Sequence, residues 1–138
     1  MDPLISFVNR AVSGTLSASE YVAKTSALMS LGYLVNRSNN LQALTYLIDS
    51  LTPETWVTRK LSWASPYHAT EADRNQQLTA MAVMGLALSG HPLARTALLS
   101  AQVRIGAGTP DRALVEEALR AHEIIARDGL TAYYRAAF

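Results

Sequence analysis

The chain has 138 residues, 49% hydrophobic and 17% charged, with twelve Lys and Arg set against eleven Asp and Glu. This balance excludes a disordered chain, which would be poor in apolar residues and rich in charge, and it lacks the basic excess of a dedicated nucleic-acid binder. With no cysteine, disulfides, zinc–thiolate sites and thiol catalysis are also excluded, and a reducing, cytoplasmic setting is the expectation.

The N-terminal MDPLISFVNR has an acid at its second position and no basic stretch ahead of an apolar core, so it does not read as a secretory signal. Asp2-Pro3 opens a helix over 3–13, with proline where a first helical residue needs no N–H. Ser17 and Glu20 form a capping box for a helix over 17–36. Asn39-Asn40 end it, and a helix over 40–51 follows with Leu41, Leu44, Leu47, Ile48 and Leu51 on one face. Thr52-Pro53 opens a helix over 53–62, in which Trp56, Val57, Lys60 and Leu61 have core spacing. The segment WASPYHATEA reads as a loop. Thr70 and Asp73 then form a second capping box, weaker because the acid is shorter, for a helix over 70–89.

His91-Pro92 opens a helix over 92–105 with a poor cap. Thr109-Pro110 opens another over 110–127, placing Leu114, Val115, Ala118, Leu119, His122 and Ile125 on one face. A short helix over 131–137 carries Tyr133 and Tyr134 and leads to Phe138. Gly14, Gly90, Gly106, Gly108 and Gly129 act as stops. No segment alternates like a strand. The longest uncharged run, between Arg74 and Arg95, is interrupted by Gly85, Gly90 and Pro92, and its apolar part is too short to span a bilayer.

An internal repeat relates these elements. Gly32 and Gly85 lie 53 residues apart, and at the same offset Ser17 meets Thr70, Glu20 meets Asp73, Ala27 meets Ala80 and Leu31 meets Met84. With the second connection shortened by two residues, Ala43, Thr45, Leu47 and Ile48 meet Ala94, Thr96, Leu98 and Leu99. Pro3, Val8 and Arg10 roughly match Pro53, Val57 and Arg59. A glycine inside a helix costs about 1 kcal/mol relative to alanine, so its recurrence at a fixed distance from a cap marks an architectural position. A neighbouring helix approaches there too closely for a side chain.

A helical period near fifty residues belongs to stacked hairpins or triplets. The segments ALMSLGYLVNRSNNLQALTYLIDSL and AVMGLALSGHPLARTALLSA, within residues 17–105, resemble HEAT-like repeats of the armadillo type. The helix and loop after Leu51 depart from a regular repeat. The resemblance implies an all-α fold, a short α-solenoid or compact right-handed superhelix of seven to eight helices. Its units would span 2–51 and 52–106, with a partial third over 109–138. It implies a non-catalytic protein-interaction or scaffolding module with no cofactor, and Tyr133, Tyr134 and Phe138 would seal the stack or contact a second copy.

Two other readings stay open. A nucleic-acid-binding repeat needs Arg59, Lys60, Arg74, Arg95 and Arg104 to share a face. A small-ligand protein or enzyme would place its pocket at the Trp63–Asp73 loop, where Trp63, Tyr67 and His68 are the candidate binding residues. The same loop can instead fold Trp63 and Tyr67 onto the core and lend Glu71 and Asp73 to the next helix. Further along, His122 shares no face with Glu116 or Glu117, so a metal is not expected, and it reads as a half-buried histidine with one hydrogen bond. Glu116 with Arg120 and Glu123 with Arg127 have ion-pair spacing.

Overall fold

The computed structural model describes residues 3–10, 14–106, 108 and 110–137. Eight helices form among them: α1 (Pro3–Asn9), α2 (Ala18–Ser38), α3 (Leu41–Asp49), α4 (Pro53–Arg59), α5 (Glu71–Ser89), α6 (Pro92–Arg104), α7 (Pro110–Asp128) and α8 (Leu130–Ala137). The fold is all-helical, and extended backbone pairs only at an isolated parallel bridge between Thr15 and Ala64 among the described residues.

Caps set several of these boundaries. The Ser17 hydroxyl accepts the Glu20 N–H at 3.2 Å while the Ser17 N–H donates to the Glu20 carboxylate at 3.1 Å. Thr70 accepts from Asp73 N–H at 3.1 Å. Asn39 ends α2 in the left-handed region (φ 52°), and the Asn40 side chain starts α3 by accepting from Ala43 N–H. His91 corrects the expectation of a poor cap, since its Nδ1 accepts from Leu93 N–H at 3.1 Å. Thr52 corrects the opposite expectation: its hydroxyl lies 2.8 Å from that of Thr55 and makes no cap bond. Ser17→Ala is therefore expected to cost about 1 kcal/mol and Thr52→Ala only a few tenths. Equal costs in urea unfolding would contradict this reading. The proposed caps Asp2 and Thr109, and Phe138, lie outside the described residues.

The three long helices set the architecture. α5 packs between α2 and α7, and contacts at both ends show that all three run in one direction. At the N-terminal ends, Tyr21 of α2 faces His68 just ahead of α5, and Gln76 of α5 donates to both carboxylate oxygens of Asp111 in α7 (2.9 and 3.2 Å). At the C-terminal ends, Asn36 of α2 donates to the Leu88 and Ser89 carbonyls (3.2 and 3.3 Å), and Gly90 lies against Ile125 and Ala126 of α7. α3 packs on α2 and α5, and α6 packs on α5 and α7.

Gly32 and Gly85 meet where α2 crosses α5. A Cβ at Gly32 would fall inside the Gly85 carbonyl group, 2.7 Å from its carbon and 2.8 Å from the Gly85 Cα. A Cβ at Gly85 would lie 2.8 Å from the Leu28 carbonyl oxygen. Only two hydrogens fit between these backbones, which is why both helices accept glycine at mid-length. Leu28, Leu31, Leu47, Leu78, Leu86 and Leu98 close the core around the crossing. Some repeat-related pairs share their burial: Ala43 and Ala94 are buried, as are Leu47 and Leu98, while Thr45 and Thr96 are exposed; others differ, Ala27 and Leu31 being buried where Ala80 and Met84 are half-buried, and Ile48 half-buried where Leu99 is exposed.

The α1/α4 match does not extend to environment. Val8 is buried, whereas Val57 is exposed. Of the spacing-based core residues of α4, Trp56 and Leu61 are buried, but Val57 and Lys60 face outward. The helix stops at Arg59 because Lys60 enters the left-handed region (φ 52°), which swings Leu61 and Trp63 inward. Leu41 is exposed too, one turn ahead of the buried face of α3. Among the described residues the ion pairs are Arg112–Glu116, Glu117–Arg120 and Arg127–Asp128, not those expected from spacing. α8 packs on α7, with Tyr133 against the core and Tyr134 6.5 Å from the Tyr33 ring of α2.

Candidate functional site

The Trp63–Asp73 loop is tied down along its length. Ala64 donates to the Gly14 carbonyl (3.1 Å) and accepts from Leu16 N–H (3.0 Å), so the connectors ahead of α2 and α5 bind each other. The Trp63 indole N–H donates to the Val8 carbonyl at 3.1 Å, and the Lys24 ammonium donates to the Phe7 carbonyl. Together they satisfy two carbonyls at the C-terminal end of α1, where positive charge suits the helix dipole. Under the loop, the buried Arg74 guanidinium donates to the Trp63 carbonyl at 2.6 Å and to Asn75 Oδ1 at 2.9 and 3.1 Å. Arg74 is held by hydrogen bonds and the Trp63 ring rather than by a carboxylate.

This geometry separates the three candidate binding residues. Trp63 is 1% exposed, so its ring offers nothing to a partner. His68 presents Nδ1 to the Ser65 hydroxyl at 2.7 Å, and Ser65 also accepts from Tyr67 N–H at 3.1 Å. Ser65 is itself buried, so the Ser–His pair closes a turn and gives no room for a substrate at the hydroxyl. Tyr67 is 61% exposed and sets its ring edge-on to Tyr21. Glu71 and Asp73 stand exposed in the first turn of α5. A shallow hollow beside His68, about 270 Å³, is bounded by Asp73, Gln76 and Asp111 and excludes Trp63.

Two of the five cations that a nucleic-acid face would need are engaged within the protein: Arg74 is buried beneath Trp63, and the Arg59 guanidinium sits over Tyr46 and Trp56 (3.9 and 4.5 Å to the ring centres). No group of three His, Cys, Asp or Glu side chains among the described residues could hold a metal ion.

His122 is fully buried rather than half-buried. Its Nε2–H donates to the His91 carbonyl at 2.8 Å, while Nδ1 has no hydrogen-bond partner among the described residues. Burial pushes its pKa below the ordinary value, with nearby Arg95 and His91 acting in the same direction and the bond to the His91 carbonyl opposing. The unfolded chain then takes up a proton that the folded chain refuses. Stability is complete above about pH 6.5 and falls as pH drops below it. His122→Gln, which keeps a donor toward His91, is expected to show a smaller loss of thermal stability than wild type between about pH 7.5 and pH 5. Identical losses would rule this out.

The best-formed concavity lies elsewhere, between α5, α6 and α7, with a volume of about 390 Å³. α5 contributes Ala72, Thr79, Ala80 and Val83 to its wall. Ala101 and Ile105 close it from the α6 side, Leu114 and Val115 from α7, and Leu51 reaches in from the end of α3. Gln76, Arg104 and Asp111 form the polar rim. Such a volume, apolar with a few convergent polar groups, is typical of binding clefts. The sequence carries no linear motif for it, because its walls come from three helices whose adjacency only the fold creates.

No family model, curated protein or solved structure matches the chain. Among the described residues no helix is long and apolar enough to cross a membrane.

Proposed function

We propose that the chain is a short stack of HEAT-like helical units that acts as a protein-interaction or scaffolding module in the cytoplasm. The observation that carries this reading is the parallel row α2–α5–α7, in which α2 and α5 meet glycine on glycine, with an apolar cleft left open beside α5. Antiparallel neighbours are the rule in simple up-and-down bundles with short loops. Parallel neighbours of like sequence suit units stacked by translation, and such stacks present concave surfaces to partners. The paired burial of Ala43 with Ala94 and of Leu47 with Leu98 supports the same reading.

The reading is tested with a photo-reactive benzoylphenylalanine placed at Ala72 or Gln76, exposed residues that line the cleft, or at Thr58 on α4, in cells of the source organism. Discrete adducts from the first two positions and none from Thr58 are expected. Adducts from no position, or the same adducts from all three, would refute it.

A further inference from the structure

α6 is held to the rest of the fold by little apolar surface. Of its 13 residues only Ala94, Leu98 and Ala101 are buried, two of them alanines. α3 buries Ala43, Leu44 and Leu47 among nine residues and lies against both α2 and α5. An element with few buried apolar groups opens at low cost.

The attachment at the N-terminal end of α6 runs through two histidines. His91 N–H donates to the Ser89 hydroxyl at 3.2 Å, and His91 Nδ1 accepts from Leu93 N–H at 3.1 Å. The His91 carbonyl accepts from His122 Nε2–H of α7 at 2.8 Å and from Arg95 N–H at 3.2 Å. Each ring works only when neutral. An imidazolium carries a proton on both nitrogens and accepts nothing, so a protonated His91 cannot cap Leu93. A protonated His122 keeps its bond to His91 but buries a charge and a second N–H, at a nitrogen with no hydrogen-bond partner among the described residues.

The surrounding charges oppose a proton on either ring. Arg95 and His91 are the groups whose charge acts on His122. One turn away on α7 stand Ala118, Leu119, Ile125 and Ala126, and the adjacent Glu123 is exposed. α5 has no ionisable side chain from Asn75 to Ser89. α2 comes beside Gly90 with Asn36 and ends with the exposed Arg37, and α8 carries Tyr133, Tyr134 and Arg135. α6 has no acid in its first turn, so a proton on His91 adds positive charge to the positive end of the helix dipole.

The repeat supplies a helix for comparison. At the offset that pairs Ala43 with Ala94, Asn40 pairs with His91. Asn40 caps α3 through Oδ1, which accepts from Ala43 N–H at 3.0 Å, and an amide does not titrate.

We propose that His91 and His122 form a proton-operated latch, by which α6 detaches from α5 and α7 in mild acid while its repeat counterpart α3 stays docked. Opening frees the buried His122 ring to take up a proton, so below about pH 6.5 the open state gains on the closed one as pH falls. Ala101 and Arg104 leave with α6, and the cleft loses one wall. The latch does not depend on the interaction reading above.

Hydrogen exchange of the intact protein tests it, followed by mass spectrometry at about pH 7.5 and about pH 5.5 and corrected for the intrinsic pH dependence of exchange. Protection of the α6 amides is expected to fall by at least about tenfold relative to α3, the factor given over this range by one proton taken up with a pKa of about 6.5. His91→Asn, which installs the α3 cap, and His122→Gln are each expected to shrink the fall, and together to bring it below about twofold. Circular dichroism checks that the variants fold. His91→Asn changes a half-buried turn residue and by itself decides the role of the cap if His122→Gln does not fold. Equal falls in α3 and α6 would overturn the latch in favour of whole-chain unfolding. No fall in α6, or a fall that neither substitution changes, would overturn it as well.

Discussion

Gly32→Ala is expected to destabilise the protein by about 3–5 kcal/mol, although alanine is the better helix former by about 1 kcal/mol. The new Cβ would fall within the carbonyl group of Gly85, which belongs to the backbone and cannot rotate aside. α2 and α5 must then separate, and the leucines packed around the crossing lose contact together. For a chain of this size the melting temperature drops by about 10–20 °C. Gly85→Ala is expected to cost less, about 1–3 kcal/mol, because its Cβ meets the Leu28 carbonyl oxygen at 2.8 Å and the Leu47 methyls at 3.3 and 3.4 Å. Thermal and urea unfolding of the two variants give the ranking. A neutral or stabilising Gly32→Ala would mean that the helices do not approach as described.

Trp63→Ala is the second large effect, expected to cost about 3–5 kcal/mol. It removes a ring that is 1% exposed, leaves the Val8 carbonyl without its donor and uncovers Lys24 and Arg74, whose charges lie near that ring. Trp63→Phe keeps most of the apolar burial and loses the N–H, so about 1–3 kcal/mol is expected. Tyr67→Ala, at an exposed position, should cost less than about 1 kcal/mol. A Trp63→Ala protein as stable as wild type would return this residue to the list of recognition candidates.

The helices were legible because their signals are local. The Ser17–Glu20 box, the Asn39-Asn40 stop and the prolines at 53 and 92 act within one turn, and helix ends followed them closely. Gly32 and Gly85 could be paired because their spacing from a cap is a one-dimensional fact. Side-chain direction at a helix end was less legible. Val57 and Lys60 have core spacing, but α4 turns Trp56 inward and the adjacent Val57 outward, and Lys60, in the left-handed turn that ends the helix, is exposed as well. The ion pairs differed from expectation because Glu116 faces Arg112 as readily as Arg120, and helical spacing allows both. The loop drew attention through its aromatics and histidine, which turned out to be what fastens it to α1 and α2. The cleft gave no sequence signal at all. Arg104, Ile105 and Leu114 become neighbours of Val83 only when α6 and α7 dock on α5.

The central claim is that α2 and α5 are equivalent units stacked in the same direction through Gly32 and Gly85. Ala23 and Gln76 are both exposed and each lies nine residues ahead of its glycine. The chain has no native cysteine, so cysteines placed at these two sites take spin labels without background. Electron paramagnetic resonance is expected to give a backbone separation of about 10–15 Å, as for neighbouring helices packed side by side. A separation near 30 Å, as antiparallel helices crossing at the same glycines would give, would contradict the account.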